Sequence, residues 1–388
     1  MKYAYFPGCS ASSTGISYTL SYNYVARCCG IELAEIPDWN CCGASAAHAE
    51  SHLLSESLAA RSLALSEATY GNTDILAPCA GCYLHLKTAQ QHGQEDEALR
   101  HQIEDIIQKP WSAEAQVING IEPFLDSTVQ EKIKDHVCHA LDGLKVACYY
   151  GCALLRPGSI THFDDDEQPH VMEDVIALTG ATPIEWSFKN ECCGASHHVT
   201  VPQAGRTMVR KILENAALQG ADAIVCACPL CMLNLDMREE KVNALRAKEG
   251  KEPLDIPIYY FTELIAASFG ANESKIGLNR HFHPAANLHE RAFASWHQDQ
   301  LEAEQKRQAE EAKKQAKRAQ RKAQAKPKAP AKAAEAKAKP EAKPAEAKAP
   351  ADAKPADANP TEAKAPAKPT TKDQSEKPEQ GTEKEVLS

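Results

Sequence analysis

The sequence has no long hydrophobic run. None of its apolar stretches reaches the roughly 18 residues that a membrane-spanning helix requires, so we predict no membrane span. A secretory signal is also missing, because the first cysteine motif ends at Cys9 and leaves no room for one. We therefore expect a cytoplasmic protein.

Two fingerprints of redox cofactors are absent as well. No Gly-x-Gly-x-x-Gly segment occurs, which argues against a flavin or nicotinamide fold of the dinucleotide-binding type. No Cys-x-x-Cys-x-x-Cys-x-x-x-Cys-Pro run occurs either, which argues against ordinary cubane clusters. If this chain carries out redox chemistry, its electrons must enter from another chain.

The main part of the chain also lacks an excess of positive charge. Residues 1–300 hold 38 acidic against 22 basic residues, whereas residues 301–388 hold 21 basic against 15 acidic ones. An acidic body argues against a nucleic acid as the main partner.

Cysteine, in contrast, is abundant, with 15 in 388 residues. In a reducing cytoplasm such a number indicates metal or redox chemistry rather than disulfides. Ten of the cysteines form one pattern that occurs twice: a single cysteine, a vicinal Cys-Cys-Gly, then Cys-x-x-Cys. They are Cys9, Cys41, Cys42, Cys79 and Cys82 in the first copy, and Cys152, Cys192, Cys193, Cys228 and Cys231 in the second. The three motifs are offset by 143, 151 and 149 residues, which indicates one duplicated unit.

Strand and helix patterns alternate within each copy, which predicts an α/β architecture with cysteines on the loops after strands. The strands of the third motif are predicted at 75–77 and 223–225, and helices at 14–29 and 46–69. The predicted organisation is a first domain at 1–107, a linker at 108–143, a second domain at 144–285, a charged and partly helical extension at 286–325, and a disordered Ala/Lys/Pro-rich tail at 326–388.

Five cysteines per copy are predicted to hold a metal centre. Thiolates are the ligands that zinc and iron–sulfur clusters prefer, but a zinc ion or a cubane cluster takes four of them. Two adjacent cysteines can contact different irons, so the fifth ligand suggests a cluster with a more open geometry. The glycine after each pair, Gly43 or Gly194, is expected to let the backbone approach such a cluster closely.

Two alternatives remain open at this point. A zinc site could hold a small scaffold together without catalysis. A thioredoxin-like dithiol at Cys79/Cys82 and Cys228/Cys231 would leave three cysteines per copy unexplained.

The other five cysteines are predicted to be buried thiols rather than ligands. A second Cys-Cys-Gly occurs at 28–30, but 49 residues would separate its cysteine pair from Cys79, whereas 34 separate the pair from Cys228 in the second copy. Gly30 also suits a helix C-cap. The remaining three are Cys138, Cys148 and Cys226. Three histidines follow the Cys-Cys-Gly loops, where a supporting hydrogen bond or simple exposure is favoured over proton donation; they are His48, His197 and His198.

With this doubled pattern, the sequence resembles the B subunit family of heterodisulfide reductases, whose repeated unit is called the CCG domain. The resemblance extends to CYYGCALLRP at 148–157, YFTEL at 260–264 and GLNRHF at 277–282, and covers about residues 1–285. The tail has no counterpart in the family pattern.

The resemblance implies two noncubane 4Fe-4S clusters, one per CCG domain, held by the two sets of five cysteines named above. It implies two domains related by a pseudo-two-fold axis, with a substrate disulfide reduced between the clusters. The implied partners are a C-type subunit with cubane clusters and a flavin-bearing A-type subunit. In methanogens the substrate is the mixed disulfide of coenzymes M and B. A related function, as the electron-relay subunit of a lactate, glycerol 3-phosphate or succinate dehydrogenase, remains an alternative.

Overall fold

The computed structural model describes residues 1–44, 46–283 and 288–324. The predicted disordered tail at 326–388 lies outside these residues. Among them, no helix combines the length and the apolar character that crossing a membrane would need.

Within the part of the chain that the structure describes, eight strands form two parallel sheets of four strands each. The sheet orders are β2-β1-β3-β4 and β6-β5-β7-β8, so the two copies have the same topology. The strands are β1 (Lys2–Tyr5), β2 (Glu32–Glu35), β3 (Ile75–Ala77), β4 (Val117–Asn119), β5 (Lys145–Tyr149), β6 (Thr182–Pro183), β7 (Ala223–Cys226) and β8 (Ile258–Tyr260).

Helices flank both sheets. They are α1 (Ile16–Cys29), α2 (Ala47–Glu50), α3 (His52–Tyr70), α4 (Ala80–Glu95), α5 (Glu97–Ile107), α6 (Ser127–His136), α7 (Gly158–Thr161), α8 (Val171–Ala177), α9 (His197–Thr200), α10 (Pro202–Leu218), α11 (Pro229–Lys248), α12 (Phe261–Ser268), α13 (Glu273–Ile276) and α14 (Leu288–Gln324), with short 3-10 helices at Glu122–Leu125 and Leu278–Arg280.

The third strand of each copy lies in the centre of the core. Every residue of β3 and β7 is buried, as expected for parallel strands that are covered on both faces and therefore read as short apolar runs. The predicted α/β fold with a duplicated CCG unit is confirmed.

The interpretation of residues 108–143 as a linker needs correction. Strand β4 lies in this segment and pairs in parallel with β3, from Ile75↔Val117 to Ala77↔Asn119. It therefore completes the first sheet, as β8 completes the second. Three residues are too few to show a strand period in the sequence.

The two copies pack against each other through reciprocal contacts. Helix α1 contacts α12, which follows the last strand of the second copy, and α8 contacts the 3-10 helix that follows the last strand of the first. The rings of Tyr18 and Tyr260 stack with centroids 4.2 Å apart. The Tyr83 hydroxyl donates to the Thr161 carbonyl at 2.8 Å. These contacts are buried, so each copy covers part of the other.

Helix α14 starts on the body and then leaves it. Leu288 and Ala292 are buried, and Arg291 forms an ion pair with Asp255 at 3.1 Å. The side chains described at 301–318 are all exposed, as expected for a helix that is polar on every face.

Candidate metal centre

The predicted ligand cysteines come from loops at the carboxyl ends of the strands. In the first copy these loops follow β1, β2 and β3. Because the carboxyl ends of parallel strands lie along one edge of a sheet, cysteines far apart in sequence converge there. Cys79 and Cys228 are the N-cap residues of α4 and α11, and Cys82 and Cys231 lie in the first turns of these helices. The positive end of a helix dipole favours thiolates at such positions.

In the first copy, the vicinal pair and the Cys-x-x-Cys motif are in contact. The sulfurs of Cys42 and Cys82 lie 3.3 Å apart. Hydrogen bonds from the Cys41 and Cys82 thiols lower the pKa of Cys42 to about 3, and the pKa values of both donors are raised in turn. Cys42, Cys79 and Cys82 are buried, whereas Cys9 and Cys41 are exposed. One thiolate is therefore already favoured, as metal ligation requires.

The second copy repeats this arrangement with one addition. The sulfurs of Cys193 and Cys231 lie 3.7 Å apart. A hydrogen bond from the Cys152 thiol lowers the pKa of Cys192 to about 6 and raises that of Cys152. The Asn234 side-chain amide donates to the Cys193 sulfur at 3.6 Å. The second set therefore has a neutral hydrogen-bond donor to a predicted ligand sulfur.

The two sets of cysteines meet at the junction of the copies. The Cys79 and Cys228 thiols are close enough for each to shift the pKa of the other. Interaction with Cys231 and Cys79 holds the pKa of Cys228 well below its usual range, and interaction with Cys228 raises that of Cys79. All ten predicted ligands are free thiols.

The donor set fits iron–sulfur clusters in its chemistry. It supplies ten soft ligands in two equal groups, and hydrogen bonding already favours a thiolate in each. Within residues 1–44, 46–283 and 288–324, no group of three or more His, Cys, Asp or Glu side chains converges on one point as a ligand set for a single metal ion.

The glycine that comes close to a predicted ligand differs from the one expected. A Cβ atom at Gly43 would meet Ala47 in α2 at 3.0 Å. A Cβ atom at Gly8, which precedes Cys9, would instead lie 3.1 Å from the Cys82 sulfur. A Cβ atom at the equivalent Gly151 would lie 3.0 Å from the Cys231 sulfur. In the Gly-Cys loops, therefore, a larger residue would crowd a cysteine sulfur, which is not the case in the Cys-Cys-Gly loops.

The histidines after the Cys-Cys-Gly loops have different environments. His48 and His197 are exposed, as the favoured interpretation predicted. The side chain of His198 lies outside the described part of the structure. His85, one turn after Cys82 in α4, was missed by the sequence reasoning: burial lowers its pKa, and its ring lies 5.6 Å from that of His48.

The five cysteines outside the pattern are not all buried. Cys29, Cys148 and Cys226 are buried, and Cys28 is partly buried. The prediction is wrong for Cys138, which is exposed. Helix α6 ends before it, and the backbone N–H of Cys138 donates to the Ser268 carbonyl at 3.0 Å. A hydrogen bond to the end of helix α12 takes the place of the predicted helical one.

His85 and Asn234 occupy matching positions in the two copies. They are separated by 149 residues, the offset of the Cys-x-x-Cys motifs. Comparing the copies at this offset could have drawn attention to them, although only the structure shows that Asn234 contacts Cys193.

Comparisons with known proteins identify the duplicated unit. A family model described as CCG, a cysteine-rich domain, matches residues 3–87 and 146–236, which contain all ten predicted ligands. The chain is 30% identical over 289 residues to the 8-methylmenaquinol:fumarate reductase membrane anchor subunit of Wolinella succinogenes, across 74% of this chain and 99% of that protein. It is 27% identical over 256 residues to the B subunit of the ferredoxin:CoB-CoM heterodisulfide reductase of Methanosarcina mazei, across 64% and 83%.

Two further matches extend these comparisons. The chain is 27% identical over 286 residues to a protein of Archaeoglobus profundus that is named for its likeness to the heterodisulfide reductase B subunit, across 71% of this chain and 93% of that protein. A crystal structure of a hypothetical protein from Helicobacter pylori superposes with a TM-score of 0.53 at 12% identity, across 73% of this chain. The chain spans about half, 52%, of that protein, and the likeness concerns the fold alone.

Proposed function

Because this chain belongs to the CCG-domain family of heterodisulfide reductase B subunits, we propose that it is the disulfide-reducing subunit of an oxidoreductase complex. The observation that carries the proposal is the duplication of a five-cysteine set, with the two sets close enough at Cys79 and Cys228 to shift each other's pKa. Two one-electron centres on either side of one junction suit a reaction that splits a bond between two sulfurs.

Each set would hold one 4Fe-4S cluster of the noncubane type. The first would use Cys9, Cys41, Cys42, Cys79 and Cys82, and the second Cys152, Cys192, Cys193, Cys228 and Cys231. When bound, the clusters would supply single electrons. Reduction of a disulfide takes two electrons and two protons and yields two thiols. The electrons would come from a C-type iron–sulfur subunit, which in turn receives them from an A-type flavin subunit.

A cavity beside the first set offers a route for a substrate. It has a volume of about 150 Å³ and is lined in part by His48, His52, Ser55 and His85. The Ser55 hydroxyl and His85 Nδ1 lie 3.1 Å apart, and His85 is close enough to Cys42 for their charges to interact. Through His85 the cavity would therefore bring a small disulfide compound close to Cys42 of the first set.

The test is anaerobic purification followed by metal analysis and a disulfide assay. We expect about eight irons per chain with equal acid-labile sulfide, since each of two clusters holds four irons. We also expect oxidation of a reduced viologen dye that depends on added disulfide, with coenzyme M–coenzyme B disulfide and simpler disulfides as substrates. Zinc in place of iron would refute the proposal and favour a zinc-held scaffold.

A second candidate function is electron relay without disulfide chemistry. The observation in its favour is the match to a fumarate reductase membrane anchor subunit, at 30% identity across 99% of that protein. A relay subunit would show the same iron content, but a quinone analogue and not a disulfide would reoxidise it. Running both acceptors on one preparation separates the two functions.

A further inference from the structure

The duplicated site is not symmetric at the position one turn beyond each Cys-x-x-Cys motif. The offset of 149 residues that relates Cys82 to Cys231 also relates His85 to Asn234. Each residue lies three positions after the last cysteine of its own motif, His85 in α4 and Asn234 in α11. Residues three apart in a helix lie on the same face, so each faces the same side as that cysteine.

Asn234 belongs to the second set of cysteines by contact. Its side chain is buried, with 6% of the residue exposed. Its Nδ2 atom donates to the Cys193 sulfur at 3.6 Å, while Cys193 also contacts Cys231 at 3.7 Å. A buried amide is costly unless it has a partner, and the described partner of this amide is a sulfur that we propose as a ligand.

The first copy has a different arrangement at the matching place. The His85 ring is only partly buried, and its Nδ1 atom lies 3.1 Å from the Ser55 hydroxyl. It lines the cavity described above, and its described hydrogen-bond partner is this hydroxyl and not a cysteine sulfur. The two sets therefore have the same ligands but different neighbours.

A hydrogen bond to a ligand sulfur stabilises the more negative, reduced form of a cluster, because it withdraws electron density from the thiolate. The effect is larger in a buried site, where the local dielectric is low. We propose that Asn234 is a positioning residue that acts through Cys193 and sets the second cluster at a higher reduction potential than the first. This inference rests on the proposed function only in assuming a cluster on the second set.

The experiment is a redox titration of the full chain, purified anaerobically with its clusters and followed by electron paramagnetic resonance and absorbance. In Asn234→Leu, which keeps the shape but removes the donor, we expect one of the two midpoint potentials to fall while the other stays. A tenfold change in the reduction equilibrium corresponds to about 59 mV for one electron. In Asn234→Asp, which places a negative charge at the same point, we expect a larger fall of the same potential.

Asn243→Leu is the matched control, because Asn243 lies on the same helix but donates to the Leu254 carbonyl at 3.0 Å. It should leave both potentials unchanged. Full iron content with unshifted potentials in Asn234→Leu would overturn the inference. If Asn234→Leu does not retain its second cluster, Asn234→Asp is titrated in its place. Unshifted potentials in that variant would overturn the inference. A wild-type chain without clusters would overturn the proposed function instead.

Discussion

Adding one methyl group at Gly151 should damage the second set of cysteines. Gly151 has φ +69° and directly precedes Cys152. A Cβ atom there would lie 3.0 Å from the Cys231 sulfur, closer than the ordinary contacts that begin near 3.4 Å. Gly151→Ala must therefore move either the Gly-Cys loop or a predicted ligand by a few tenths of an ångström.

Two costs contribute, and a second glycine separates them. A left-handed backbone costs an alanine about 1–2 kcal/mol, and forcing an extra carbon into a packed site costs about 1–3 kcal/mol. Gly220 has φ +78° but no heavy atom within 4 Å of an added Cβ. Gly220→Ala should therefore lose only the backbone part, and the difference between the two variants, about 1–3 kcal/mol, measures the contact with Cys231.

The assay is iron and acid-labile sulfide per chain, with denaturant unfolding alongside. We expect Gly220→Ala to keep its full iron and Gly151→Ala to lose about half, because metal ligation tolerates displacements of only about 0.2 Å. If Gly151→Ala holds as much iron as Gly220→Ala, the Gly-Cys loop does not shape the site.

Three other expectations follow from the same structure. Cys42→Ser should remove about half of the iron, since the two sets share no ligand, whereas Cys29→Ser should remove none; equal losses would contradict the ligand assignment. Deleting residues 301–388 should leave the iron content unchanged, and a measured loss of iron would show that the body needs them. Burial raises the pKa of Glu239 to about 8, so the fold binds this proton more tightly than the unfolded chain does. Its contribution to stability is therefore present below pH 4.5 and lost as the pH rises through 8. Glu239→Gln, which introduces the residue found at the matching Gln90, should be more stable than wild type by on the order of 4 kcal/mol at about pH 9 and about equal at about pH 4 in denaturant titrations; an equal gain at both pH values would refute this explanation.

Much of the fold could be predicted because its signals are local. The buried strands β3 and β7 appear in the sequence as apolar runs shortly before cysteines. The repeated cysteine motifs indicate the duplication. The predicted helix at 46–69 is in fact interrupted at Ser51, whose side chain caps α3 by accepting from the Leu54 N–H at 3.4 Å. Serine is a common N-cap, so this break had a local signal that helical periodicity obscured.

The features that escaped prediction depend on contacts between distant residues. Strand β4 is defined by its pairing with β3, and its three residues are too few to indicate that pairing from the sequence. Asn234 looks like any polar residue of a helix until the Cys193 sulfur is placed beside it, 41 residues away in sequence. Cys138 looked buried because the residues before it form a helix, but helix α6 ends at His136, and Cys138 lies exposed beyond it with its N–H bound to the distant Ser268 carbonyl.

The reciprocal packing of the copies has a consequence for how such a protein can change over evolutionary time. A single unit of this kind would leave uncovered the surfaces that α1 and α12 now bury against each other, so it would have to pair with an identical chain. In such a pair every substitution acts at both centres at once. Joining the units in one chain removes that constraint, and the difference between His85 and Asn234 is of the kind that a pair of identical chains cannot acquire. Covalent linkage therefore lets the surroundings of the two sets of cysteines change independently of each other.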